Sequence, residues 1–204
     1  MAAEAKTEIK AFNVWGTEGI TVEDAGIKGY VTLQPRYVPK SGAKYAGKDF
    51  YKSKTFIVER LINKVMVPGH KGKKHFHSSG NMTGKANTAY RIVLEAFKKI
   101  EAKMKKNPIE VFVRALENAA PREEIITIEY GGARYPKAVE CSPQRRIDIA
   151  LRFFTQGSYQ KSFNSKKAIE DCIADEIINA YHMSPSSAAI SKKLELERQA
   201  DASR

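Results

Sequence analysis

One stretch of the chain changes period, and that change limits the fold more than any other feature. Elsewhere apolar residues recur mostly at three- and four-residue spacing, the mark of helices with one buried face. In EEIITIEYGGARYPKAVEC, residues 123–141, the β-branched run Ile125 to Ile128, a glycine pair and the alternation Tyr135, Lys137, Val139, Cys141 read as two strands and a tight turn. A lone two-stranded ribbon is marginal in water, so helices must supply the core and the ribbon must lean on them or on a partner. No parallel-sheet pattern accompanies it. The expectation is a mainly α protein: a helical bundle-like domain of about six helices, a protruding two-stranded β-hairpin and an irregular N-terminal arm.

The boundaries follow from local signals. Residues 1–54 are punctuated by Gly16, Gly19, Gly26, Gly29, Pro35, Pro39, Gly42 and Gly47 and form the expected arm or extension. Residues 55–204 form the expected helical domain, with the hairpin at about 122–141. A first helix runs from about Thr55, with Ile57, Leu61 and Val65 on one stripe, and ends at Pro68-Gly69. A basic loop, GHKGKKHFHSSGNMTGKANT, separates it from a stripe of Tyr90, Val93, Phe97, Ile100 and Met104. Asn107-Pro108-Ile109-Glu110 combines a capping side chain with proline at the first helical position. Ser142-Pro143 starts a helix expected to stop at Gly157, residues 165–182 form another, and AAISKKLELERQA forms a last one after Pro185.

Charge says what such a domain meets. The 204 residues are 42% hydrophobic and 28% charged, the balance of a soluble globular protein. No stretch offers the roughly 20 apolar residues of a membrane helix, and MAAEAKTEIK lacks the apolar core of a signal peptide, so a cytoplasmic protein without membrane contact is expected. Cys141 and Cys172 are too few for a disulfide framework and read as reduced. Net charge is +12, and residues 36–106 hold 18 basic side chains against Asp49, Glu59, Glu95 and Glu101. That third of the chain carries a surplus of +14, and the remainder is −2. A merely solvated face mixes both signs; a one-sided segment suits a polyanion.

Catalytic readings find little support. GAKYAGKD, residues 42–49, follows a phosphate-cradling loop up to its lysine, but Asp49 stands where a hydroxyl should reach magnesium, and the strand that should precede it is missing. His70, His75 and His77 lie among lysines that repel a dication. No nucleophile motif is present. No enzyme activity, cofactor or metal is expected.

Nucleic acid is the remaining class. Lys71, Lys73 and Lys74 sit on a glycine-loosened loop able to follow phosphates, and Lys85 and Arg91 follow at the next helix. Arg134, Lys137 and Tyr135 arm the hairpin as a basic ribbon with an aromatic face for an unstacked base, and Arg122 stands at its foot. Arg145 and Arg146 fall in the first turn of a helix, where the dipole disfavours cations, which points to an external anion. These features alone fit RNA or a non-ribosomal architectural protein on DNA or RNA. No helix-turn-helix or zinc-finger pattern is present.

In order, FIVERLINKVM, GKK, AYRIVLEAF, NPIEVFVRALENAAPREE, YGGARYPKAVECSPQRR, SKKAIEDCIADEI and KKLELERQA resemble the small-subunit ribosomal protein seven family, in its archaeal and eukaryotic form. The likeness spans about 42–204 and departs at Gly157-Ser158-Tyr159 and at Ser191. It implies a non-enzymatic, cytoplasmic ribosomal component that binds the three-prime major domain of small-subunit ribosomal RNA and nucleates head assembly. It also implies neighbouring proteins of the head and platform as partners, and a position near exit-site tRNA and mRNA. By position it adds Tyr90, Arg91, the hairpin tip and Arg145-Arg146 to the RNA-facing set.

Overall fold

The computed structural model describes residues 9–69 and 80–204. Among these described residues, seven helices and one hairpin follow in chain order: α1 (Ala25–Lys28), α2 (Ile57–Val65), α3 (Ala86–Met104), α4 (Pro108–Ala119), β1 (Glu123–Tyr130), β2 (Ala133–Glu140), α5 (Pro143–Ser162), α6 (Ile169–Tyr181) and α7 (Ala188–Asp201). The mainly α expectation with one β-hairpin is met. Among the described residues no helix is long and apolar enough to cross a membrane.

The helices bury the stripes that predicted them. Ile57, Leu61 and Val65 of α2, Val93, Phe97 and Ile100 of α3, and Phe112 and Leu116 of α4 join one core with Ile147, Leu151 and Phe154 of α5. Tilted aromatic contacts run through it, Phe97 to Phe112 at 5.8 Å and Phe112 to Phe154 at 6.4 Å between ring centroids. At the start of α4 Pro108 needs no N–H partner, and the Asn107 side chain accepts the Ile109 N–H at 3.0 Å. The same Asn107 donates its amide to the Gly16 carbonyl at 2.8 Å, which fixes the N-terminal segment to the helix end.

That segment has little regular structure, yet Ala11, Trp15, Val22, Ile27 and Val31 are buried in the same core. Trp15 packs edge-on to Phe97. The Glu117 carboxylate on α4 accepts the backbone N–H groups of Glu23 and Asp24 at 2.6 and 3.2 Å. Further on, the Thr32 carbonyl accepts the N–H of Ile57 at 3.0 Å, seating the chain against the first turn of α2.

The expected stop at Gly157 is corrected: α5 continues through it to Ser162. Glycine is a poor helix former, but here it is a contact point, because a Cβ at Gly157 would lie 2.6 Å from the Cβ of Ala188 at the start of α7. Packing overrides propensity. Nearby, the fully buried Glu176 of α6 accepts from the Ser187 hydroxyl at 2.7 Å, the Ala189 N–H at 3.0 Å and the Lys161 ammonium at 2.6 Å. One carboxylate thus ties α5 and the start of α7 to α6.

In the hairpin, β1 pairs antiparallel with β2 from Glu123↔Glu140 to Tyr130↔Ala133. Gly131 and Gly132 both have positive φ, +58° and +82°, which a two-residue turn twisted to match its strands requires and which side chains with a Cβ resist. The foot rests on α7: the Arg122 N–H donates to Glu197 at 3.1 Å, and Arg204 pairs with Glu123. The outer part stands in solvent.

Candidate nucleic-acid interface

Lys71, Lys73 and Lys74, with His70, His75 and His77, lie outside the described residues. The remaining candidates fall into two groups. Lys85 and Arg91 are exposed at the start of α3, and Tyr90 is half-buried with its ring 4.8 Å from that of Phe12. Tyr90 is therefore partly committed to packing. The start of α3 faces the segment around Tyr37–Tyr45 across a cavity of about 530 Å³.

The second group is the hairpin. Direct pairing places Ile126 opposite Lys137, Ile128 opposite Tyr135 and Tyr130 opposite Ala133 on one face, and Glu129 opposite Arg134 on the other. Tyr130 is 82% and Tyr135 58% exposed, so the first face offers aromatic and apolar surface with one ammonium group. The basic-ribbon expectation is corrected on this point. The strands carry Glu123, Glu124, Glu129 and Glu140 against Arg134 and Lys137, and Arg134 lies 3.5 Å from Glu129. The hairpin is a mixed-charge finger with an aromatic face; Arg122 remains exposed at its foot.

The expectation that Arg145 and Arg146 await an external anion is also corrected, because each meets a carboxylate of the same chain. Arg145 makes a two-pronged pair with Glu124 of β1, the Nη2 arm at 2.6 Å. Arg146 is buried, donates to the Pro121 carbonyl at 3.1 Å and pairs with Asp24 at 2.6 Å. The dipole argument identifies cations in need of anions, but not where those anions come from. Burial raises the Cys141 thiol beside this pair, with the charge of Glu124, to about 11, so it stays protonated at neutral pH.

The surplus of positive charge is split in the fold. On the far half of α3, Lys98 pairs with Glu95, Lys99 with Asp171 at 2.7 Å and Lys103 with Asp175 at 2.6 Å. By contrast, among the described residues no carboxylate lies within ion-pair distance of Arg36, Lys40, Lys44, Lys48 or Lys54. Four of these, Arg36, Lys40, Lys44 and Lys54, line a cleft of about 770 Å³ with Tyr45 and Tyr51. Lys54 sits over the Tyr51 ring at 4.9 Å and Lys48 at 5.6 Å. Cations with no acid among them beside two phenol rings suit phosphates and unstacked bases. Sequence reading missed this cleft as a site, although basic residues at 36, 40, 44, 48 and 52 recur every fourth position and could have signalled it.

Comparison with known proteins gives this surface a context. The family model described as "Ribosomal protein S7p/S5e" matches residues 28–204. Small ribosomal subunit protein uS7 of Nanoarchaeum equitans is 49% identical over 97% of this chain and all of its own length. Its namesakes from Archaeoglobus fulgidus and Methanothrix thermoacetophila are 45% and 44% identical, over 98% and 96% of this chain and 97% and 100% of their own.

Proposed function

Since the chain belongs to the ribosomal protein S7p/S5e family, we infer that it is a structural, non-enzymatic component of the small subunit of the cytoplasmic ribosome and binds the RNA of that subunit. One observation beyond family membership supports the reading: the cations Arg36, Lys40, Lys44 and Lys54 stand without internal carboxylates, among the described residues, around a tyrosine-walled cleft. Phosphates of a folded RNA are the counter-charge this face fits.

In this reading the domain holds a multi-helix junction in the three-prime major domain, neutralising phosphates of RNA helices that would otherwise repel one another, and so nucleates head assembly. Neighbouring proteins of the head and platform pack around it. Lys85 and Arg91, the cleft of residues 36–54, and Lys71, Lys73 and Lys74 face the RNA. Arg145 and Arg146 act from behind, holding the foot of the hairpin and the N-terminal segment in place.

A protein that reads junction shape and 2′-hydroxyls should bind a folded three-prime-domain RNA fragment far more tightly than DNA of equal length. Competition binding with both ligands checks this, and equal affinities would favour a general architectural role instead.

The outer part of the hairpin, with Tyr130, Tyr135 and Lys137 on one face and Arg134 on the other, is assigned to exit-site tRNA or mRNA. Charge reversal at Arg134 and Lys137 should leave head assembly intact while disturbing exit-site tRNA retention or frame maintenance. Reconstituted subunits scored for both would overturn this assignment if assembly failed and decoding stayed normal.

A further inference from the structure

We propose that a second cleft, between α2, α5 and the turn of Tyr51–Lys54, is a binding site for a single phosphate group, supplied by the backbone of the bound RNA. The proposal rests on the RNA-binding reading and adds a site that the sequence candidates did not include. The cleft, of about 410 Å³, is lined by Lys52, Arg60, Lys64 and Arg152, with Asn63 and Gln156 among its polar walls. Its size admits a phosphodiester and a few waters.

Charge in the cleft is unbalanced. Asp148 accepts from Lys52 at 2.7 Å and from Arg60 at 3.2 Å, so one carboxylate serves two cations. Among the described residues Lys64 and Arg152 have no carboxylate within ion-pair distance. Arg60 is 2% exposed and gives its Nη atoms to Asp148 and the Tyr30 carbonyl, yet its buried Nε has no hydrogen-bond partner. A buried guanidinium N–H left unpaired is costly, so Arg60 is a lining cation whose donors the protein itself does not fully satisfy.

Lys64 reports the same shortage. Burial lowers its pKa, and although Asp148 works against this, the charges of Lys52, Arg152 and Arg60 lower it further. The free protein therefore holds cations against one another. An entering phosphate anion turns that repulsion into attraction, which a purely structural Lys52–Asp148–Arg60 network would have no use for.

The test uses the full chain and a folded fragment of small-subunit ribosomal RNA. Lys64→Met and Arg152→Gln, singly and together, remove charge without touching the Asp148 pairs. The double variant should be at least as resistant to urea as the wild type, because repulsion is relieved. It should bind the RNA at least about tenfold more weakly, with its salt slope reduced by about one for each phosphate no longer neutralised. Unchanged affinity and slope, while the wild type still binds RNA, would overturn the proposal and leave the RNA-binding reading standing. A titration of both proteins with inorganic phosphate, followed by NMR of the lysine ammonium and arginine Nε groups, separates the two sources of the anion. Saturation of Lys64 and Arg152 by free phosphate with no RNA defect in the variants would reject the RNA backbone as ligand, and no shift in the wild type would reject the cleft itself. Failure of the wild type to bind the RNA at all would instead remove the underlying reading.

Discussion

Raising the salt from about 50 to about 200 mM is expected to weaken binding of the folded ribosomal RNA fragment by about three to five decades, the loss produced by releasing counterions from about 6–10 phosphates. The fold supplies cations in that number. Arg36, Lys40, Lys44, Lys48, Lys54, Lys64, Lys85, Arg91 and Arg152 have no carboxylate within ion-pair distance among the described residues. Lys98, Lys99 and Lys103 are already paired along α3 and α6. Neutralising Lys40, Lys44 and Lys54 together should flatten the slope of log affinity against log salt by about two to three, whereas neutralising Lys98, Lys99 and Lys103 should leave it nearly unchanged. Filter binding over a salt series measures both. A flat response in the wild type, or equal effects of the two triple variants, would mean that phosphate neutralisation is not what holds the RNA.

Replacing Arg146 by methionine should cost about 2–4 kcal/mol of folding stability, a large share of what a domain of this size has, since the pair is buried on one side and partly solvated on the other. The methionine fills much of the same space, so the loss comes from partners left behind. Asp24 loses its 2.6 Å pair and the Pro121 carbonyl loses a donor. Urea unfolding followed by circular dichroism reads the change, and a loss below about 1 kcal/mol would show that the pair is dispensable. The acid dependence should change with it. Burial alone would raise the Asp24 carboxyl, but the hydrogen bond from Arg146, the Gly26 N–H and the Arg146 charge outweigh it and hold the group below its ordinary 3.8. A carboxyl depressed in the folded state contributes stability that is fully present above its unfolded pKa and lost as pH falls through the folded one. Wild type should therefore weaken below about pH 4, and in Arg146→Met the part of that loss owed to the Arg146 hydrogen bond and charge should be absent, while the Gly26 N–H still holds Asp24.

What can be read in advance is local. The Asn107-Pro108 start of α4 and the Gly131-Gly132 turn are legible because cap and turn geometry depend on residues adjacent in sequence. Helical stripes are legible because burial of one face repeats every three or four residues. What escapes depends on distant partners. Gly157 reads as a stop until Ala188, far along the chain, is seen to occupy the space its side chain would need. Trp15 and Ile27 anchor a segment with no period, so nothing local announces that they enter the core. Arg146 and Asp24 are 122 residues apart, and a helix-dipole argument has no means of finding such a partner. The same holds for the cleft of Lys52, Arg60, Lys64 and Arg152, which two helices and a turn assemble from widely separated positions.

The attachment of the hairpin to α7 makes that helix the fulcrum of a lever. At roughly 3.3 Å per residue, eight paired residues put the tip about 25 Å from its foot, so a tilt of about 5° where Arg122 meets Glu197 displaces Gly131 and Gly132 by about 2 Å. Whatever presses on the last helix is thereby felt at the far end of the finger, amplified by its length.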